Sequence, residues 1–71
     1  MFKTDYKLQK LLEKHFRTKL AYVEVKGDIL YHSSRRLLDW SGCEVRMVWE
    51  DGHSVLFSTS EWAYMEFENK A

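Results

Sequence analysis

The chain has 71 residues, 45% of them hydrophobic, and carries 11 Lys and Arg against 11 Asp and Glu. This length suits one small domain, residues 1–71, rather than two. The zero balance excludes a uniformly basic nucleic-acid coat and a uniformly acidic nucleic-acid mimic, and the apolar content without any proline excludes a disordered linker.

The first predicted element is an amphipathic helix over residues 5–19. Thr4 is its predicted N-cap, because a threonine hydroxyl can accept a hydrogen bond from a backbone N–H of the first turn. The apolar face recurs at three- and four-residue steps and consists of Leu8, Leu11, Leu12, His15 and Phe16.

Apolar and polar residues then alternate, which predicts a first hairpin. A strand over residues 21–26 is joined to a strand over residues 29–34 by a turn at Gly27 and Asp28. In this register Val23 lies opposite His32 on the apolar side, while Tyr22 and Tyr31 project from the other side. Residues 35–42 interrupt the alternation and are predicted to be a loop whose candidate core side chains are Leu37, Leu38 and Trp40.

A second hairpin is predicted at Asp51 and Gly52, the strongest turn signal in the chain. It joins strands over residues 43–50 and 53–58, and its predicted register places Leu56 on the face that carries Val45, Met47 and Trp49.

The last segment has two interpretations. Residues 58–61 match a helix capping box, which slightly favours a short helix. The alternation of Ala63, Met65 and Phe67 with polar positions predicts a final strand instead. Either way the fold class is α+β, with the N-terminal helix packed on a four- to five-stranded antiparallel sheet.

The single cysteine, Cys43, cannot form an internal disulfide, and this favours a reducing compartment. The charged N-terminus is unlike a signal peptide, and the longest uncharged stretch, residues 53–60, is far shorter than the roughly 20 apolar residues of a membrane span. We therefore expect a cytoplasmic protein that does not enter the membrane.

The charges are segregated along the chain. Residues 1–19 hold six cations against two acids, a sum of +4, and residues 20–71 hold five cations against nine acids, a sum of −4. On the predicted helix five cations fall within an arc of about 80°, opposite the leucines. This basic stripe is Lys3, Lys7, Lys10, Lys14 and Arg17, with Arg35 and Arg36 as an extension. It fits phosphates or an acidic protein surface, and equally a solvated helix face.

Aromatic residues make up 15% of the chain, more than one helix on one sheet face can cover. Outward-facing Tyr and Trp are typical of interfaces. The predicted partner-binding residues combine them with nearby acids and are Tyr22, Tyr31, Trp62, Tyr64, Glu66 and Glu68. A second copy of the chain could also cover these aromatic side chains.

The sequence carries no motif for catalysis, metal binding or a cofactor. The sharpest enzymatic hypothesis is that His15 and His32 meet between helix and sheet as an acid–base pair of a small hydrolase. Satisfied core histidines are the commoner case, so we expect a protein that is not an enzyme.

We expect a small non-enzymatic module that binds a protein partner. Its size, its aromatic and charged content and its lack of proline are typical of small phage-encoded inhibitors or accessory factors that act on a host protein or nucleic-acid-handling complex. The alternative is direct binding of RNA or DNA by the basic stripe.

Overall fold

The computed structural model describes residues 1–67, so Glu68 of the predicted binding set lies outside the described residues. The fold is α+β, as predicted, with the N-terminal helix packed against a sheet. The elements in chain order are β1 (Lys3–Thr4), α1 (Tyr6–Phe16), β2 (Tyr22–Lys26), β3 (Leu30–His32), a 3-10 turn (Ser33–Arg35), β4 (Leu37–Asp39), β5 (Glu44–Val48), β6 (Ser54–Ser58) and β7 (Tyr64–Glu66). None of the helical segments in residues 1–67 is long and apolar enough to cross a bilayer.

The helix begins one residue later than predicted and ends three residues earlier. Asp5, not Thr4, is the N-cap, and its carboxylate accepts a hydrogen bond from the N–H of Leu8 at 2.9 Å. Thr4 instead belongs to β1, where it pairs with Glu24. The helix stops because Arg17 adopts a left-handed conformation at φ 54°, and its N–H returns to the carbonyl of Glu13.

The strands form two antiparallel sheets. The four-stranded sheet has the order β1-β2-β5-β6, and the three-stranded sheet has the order β3-β4-β7. The core consists of side chains from α1, the inner face of the four-stranded sheet and the inner face of the three-stranded sheet, together with Leu20, Trp40 and Cys43. The core side chains from these three elements are Leu8, Leu12, Val23, Val25, Val45, Met47, Leu38 and Met65.

The first predicted hairpin is wrong. β2 pairs with β1 and β5, and β3 pairs with β4. At Gly27 the chain leaves the sheet with φ +120°, and a Cβ there would lie 2.9 Å from the sulfur of Cys43. Only glycine fits this conformation and this close approach, so Gly27 carries the chain past β5 instead of turning it back on β2.

The predicted loop over residues 35–42 contains a strand, β4. Leu38 and Trp40 are buried as the sequence predicts, and Leu37 is half-buried. β4 lies between β3 and β7, so these residues form the centre of the second sheet rather than isolated plugs.

The second predicted hairpin is confirmed, because β5 and β6 pair across the turn at Asp51 and Gly52. The predicted side-chain orientation is wrong for one residue of this hairpin. Leu56 lies opposite Arg46 and projects to the outer face of the sheet, whereas Val45 lies opposite Phe57 on the inner face.

The last described segment is a strand, not the helix that the capping signal slightly favoured. β7 pairs with β4 and buries Met65 between exposed Tyr64 and Glu66. Thr59, the second residue of the capping motif, accepts a hydrogen bond from the N–H of Cys43 at 2.8 Å and donates to the carbonyl of Trp40. Tertiary partners therefore take the polar group that could have helped to start a helix.

Candidate functional site

A groove runs between the C-terminal half of α1 and β7. It contains two cavities of about 590 and about 500 Å³ that share the residues His15, Met65 and Glu66. The remaining lining residues are Leu11, Lys14, Arg17 and Phe67 in the larger cavity and Phe16, Trp40 and Tyr64 in the smaller one.

The β7 side of the groove is a free strand edge. The backbone N–H of Trp40 donates to the carbonyl of Ala63 at 3.3 Å, and the backbone N–H of Phe67 donates to the carbonyl of Arg36 at 2.9 Å. Inward and outward backbone groups alternate along an antiparallel strand, so Tyr64 and Glu66 direct their N–H and C=O groups away from β4. Within residues 1–67, β7 pairs with no other strand. Among residues 1–67 these backbone donors and acceptors have no strand partner.

Exposed aromatic side chains surround this edge. Phe16 at the end of α1 and Tyr64 in β7 are 51% and 50% exposed, and both line the smaller cavity together with buried Met65 and Trp40. Trp62 precedes β7 and is 80% exposed. A cavity lined by exposed aromatic and buried apolar residues can receive an apolar side chain of a ligand.

Charges of both signs line the groove. Lys14 and Arg17 lie at the end of α1, and Glu66 lies on β7, so the basic and acidic parts of the chain meet here. The groove can therefore orient a ligand that carries both an acidic and a basic group.

The α1 wall is held in place by a clamp on the following loop. The carboxylate of Glu13 accepts a hydrogen bond from the N–H of Leu20 at 2.9 Å, and the amide of Gln9 donates to the carbonyl of Leu20 at 3.1 Å. The bond from Leu20 holds the pKa of Glu13 below its usual value. Both backbone groups of Leu20 are satisfied by the helix, which fixes the chain direction between α1 and β2.

The basic stripe is not continuous. Lys3 lies in β1 and lines a different cavity, next to Asp5 and Asp39. Lys7 lies 4.3 Å from the ring of Tyr31, and Lys10 lies 4.0 Å from a carboxylate oxygen of Glu13.

Of the seven predicted cations, only Lys14 and Arg17 line the groove. Arg35 lies in the exposed 3-10 turn. Arg36, also exposed, follows in a left-handed conformation.

The predicted partner-binding residues do not share one surface. Tyr64 and Glu66 line the groove, and Tyr22 lies on the outer face of the four-stranded sheet beside Val48. Tyr31 is half-buried against the core, so the expectation that it projects from the surface is wrong. Its hydroxyl lies 3.3 Å from both carboxylate oxygens of Asp5, and burial together with that charge raises the pKa of Tyr31 well above its usual value.

The two histidines of the enzymatic hypothesis belong to different surfaces. His15 is exposed on α1 beside the ring of Phe16, with ring centroids 4.8 Å apart. His32 is half-buried and lies opposite Leu37, on the side of the three-stranded sheet that faces away from the core. The contacts within residues 1–67 include no hydrogen bond or ring contact between them, and this part of the chain holds no group of three side chains suited to a metal ion.

Five groove residues were predicted neither as binding residues nor as catalytic residues: Leu11, Phe16, Trp40, Met65 and Phe67. Leu11 and Phe16 fit the apolar helix face, Met65 and Phe67 fit apolar alternation, and Trp40 fits a core position. The sequence therefore offers no signal that they border an open cavity. Comparisons of this chain with protein-family models, with curated proteins and with solved structures find no match.

Proposed function

We propose that this chain is a non-enzymatic protein-binding module whose groove receives an extended segment of a partner protein as an added strand on β7. The observation that carries the proposal is the free backbone edge at Tyr64 and Glu66 beside a cavity with exposed aromatic side chains. Strand addition supplies affinity through the main chain, and pockets beside the edge select alternate side chains.

The groove chemistry defines the segment that we expect. An apolar side chain would enter the smaller cavity, which Phe16, Trp40 and Tyr64 line. An acidic group would lie near Arg17 and a basic group near Glu66, because charge complementarity orients a ligand and speeds its encounter. A phage-type inhibitor or accessory factor that acts on a host complex is the narrower form of this proposal, and we expect it to act in the cytoplasm.

The test compares groove variants with a matched surface variant. Phe16→Ala and Tyr64→Ala each remove a groove aromatic, whereas Tyr6→Ala removes an aromatic that is 66% exposed but lines neither cavity. Each tagged protein captures partners from a nuclease-treated lysate of the source organism, and a partner so identified is then purified and titrated by calorimetry.

Truncating a residue at an interface hot spot weakens binding by more than about 1 kcal/mol, roughly fivefold or more, and hot spots lie in well-packed pockets of this kind. We expect such losses for Phe16→Ala and Tyr64→Ala and unchanged affinity for Tyr6→Ala. Charge reversal by Glu66→Lys, with Glu68→Lys added, should slow association at low salt. Equal affinity of all variants for the purified partner would refute the groove as its docking site.

A second candidate is single-stranded RNA or DNA in the same groove. The specific observation is that Lys14 and Arg17 line cavities continuous with those of Phe16 and Tyr64, which combines cations with rings on which bases can stack. Fluorescence anisotropy with labelled oligonucleotides tests it directly. Binding should weaken with salt by about 0.7 per neutralised phosphate in log–log slope, and Arg17→Gln should reduce that slope. Absence of binding at about 50 mM salt would eliminate this candidate.

A further inference from the structure

A second free edge lies on the other sheet, at β6. Within residues 1–67, β6 pairs only with β5. The backbone N–H of Trp49 donates to the carbonyl of His53, and the backbone N–H of Thr59 donates to the carbonyl of Cys43, both at 2.8 Å. The alternation of the ladder then directs the backbone groups of Val55 and Phe57 toward β5 and leaves a row of outward-directed groups. These belong to Ser54, Leu56 and Ser58.

The two edges of this sheet differ in how they are protected. β1 is only two residues long and carries exposed Lys3, and short length and edge lysines are devices that prevent unwanted strand pairing. β6 has five residues, the same length as β5, and contains no charged residue, glycine or proline. An unprotected edge of this kind is a template for another strand.

We propose that β6 is a homodimer interface, in which the β6 strands of two copies pair in antiparallel fashion about a two-fold axis at Leu56. The sequence of β6 is self-complementary in this register. Ser54 of one copy lies opposite Ser58 of the other, Val55 lies opposite Phe57, and Leu56 lies opposite itself. A two-fold interface requires a surface that matches its own copy, and this uncharged strand does so without opposing like charges.

The backbone groups fit this pairing. Each of the three outward-directed residues meets a residue whose groups also point outward, so the pair of strands forms about six main-chain hydrogen bonds. Leu56 is 55% exposed on the outer face, and the joined sheet places the two Leu56 side chains next to each other. The result is one continuous eight-stranded sheet with the two helices on its inner face.

The interface is small, and this sets the expected strength. Five residues of antiparallel strand span about 17 Å, a narrow strip compared with a standard interface of about 1,600 Å². The dimer should therefore be weak and concentration-dependent. It uses an edge separate from the α1–β7 groove, so it can form whether or not the groove binds a partner.

Sedimentation velocity over about 5–500 µM protein tests the dimer, with the full chain throughout. The average mass should rise from 8.6 kDa toward twice that value. Leu56→Lys should raise the dissociation constant at least tenfold, because two lysines would face each other across the axis. Tyr22→Lys is the matched control: it places a lysine on the same outer face, on β2, two strands from the edge. Circular dichroism of both variants checks their folding.

Amide hydrogen exchange on the unmodified chain supplies a second measurement. The Leu56 amide should become protected as concentration rises, while the Val55 amide should be protected at every concentration. A mass that stays at 8.6 kDa up to about 500 µM would overturn the proposal. Equal loss of the dimer in Tyr22→Lys would do so too, since the two copies would then meet through their sheet faces. Protection of the Leu56 amide at concentrations where the chain is monomeric would also overturn the proposal, because the β6 edge would then be covered within a single copy.

Discussion

Substituting Glu13→Gln should lower the free energy of unfolding at pH 7 by about 1–2 kcal/mol. The carboxylate accepts the N–H of Leu20 at 2.9 Å, and its side chain is only 18% exposed. A hydrogen bond to a charged group contributes about 1.5–3 kcal/mol, and a neutral amide oxygen at the same place retains about 0.5–1.5 kcal/mol. For a chain of this size the difference corresponds to a fall in Tm of about 5–15 °C.

The effect should depend on pH in a defined direction. Because the pKa of Glu13 is lowered in the folded state, its contribution is fully present above the unfolded value and is lost as pH falls through the folded value. The stability difference between the parent chain and Glu13→Gln should therefore be largest near pH 7 and shrink below about pH 4.3.

Thermal unfolding followed by circular dichroism at pH 7 and at low pH measures both effects. Lys10→Gln is the control, because it removes the cation that lies 4.0 Å from Glu13 and leaves the hydrogen bond in place. This ion pair is long, and its lysine is 59% exposed, so it should contribute less than about 0.5 kcal/mol. An unchanged Tm for Glu13→Gln at pH 7, or a difference that persists undiminished at low pH, would refute the clamp.

Two further substitutions test the packing of the core and its margin. Gly27→Ala should cost about 2–4 kcal/mol in urea unfolding, because the new Cβ meets the buried sulfur of Cys43 in a conformation with φ +120°; a cost below about 1 kcal/mol would show that the close approach relaxes freely. Tyr31→Phe should cost about 1 kcal/mol through the lost contact of the hydroxyl with Asp5. The raised pKa of Tyr31 makes the folded chain favour the protonated phenol, a contribution present below the unfolded pKa and lost as pH rises through the folded one. In an alkaline absorbance titration of the parent chain, ionisation of Tyr31 should appear as a late component at high pH, and Tyr31→Phe should lack that component.

Local signals in the sequence predicted the helix and one of the two short hairpins, but not the β3–β4 hairpin. The helix follows from the spacing of Leu8 and Leu12, and the β5–β6 hairpin follows from Asp51 and Gly52. The same turn logic failed at Gly27, because β2 finds its partner in β5, far along the sequence, and the glycine serves a close approach to Cys43. Local turn propensity cannot distinguish these two uses of glycine.

The groove could be predicted only in part. Tyr64 and Glu66 were recognised as outward-facing, and Lys14 and Arg17 as basic, but their proximity depends on packing α1 against the last strand. The free edge of β7 depends on β4, a strand within a segment that the sequence predicted as a loop. A binding surface assembled from both ends of the described chain has no periodicity of its own.

The interleaving of the two sheets along the chain also governs how this protein can fold. β2 must wait for β5 to be synthesised, and β4 must wait for β7, because strands of the other sheet intervene in each case. Within residues 1–67 the β3–β4 and β5–β6 hairpins close short loops, whereas the β1–β2, β2–β5 and β4–β7 pairings join strands that lie far apart along the chain. These long-range pairings place the folding rate toward the slower, milliseconds-to-seconds end for small proteins. A ribosome-bound chain that ends before β5 lacks the strand that pairs with the second edge of β2. Commitment to the native topology therefore comes late in synthesis, when the last third of the chain emerges.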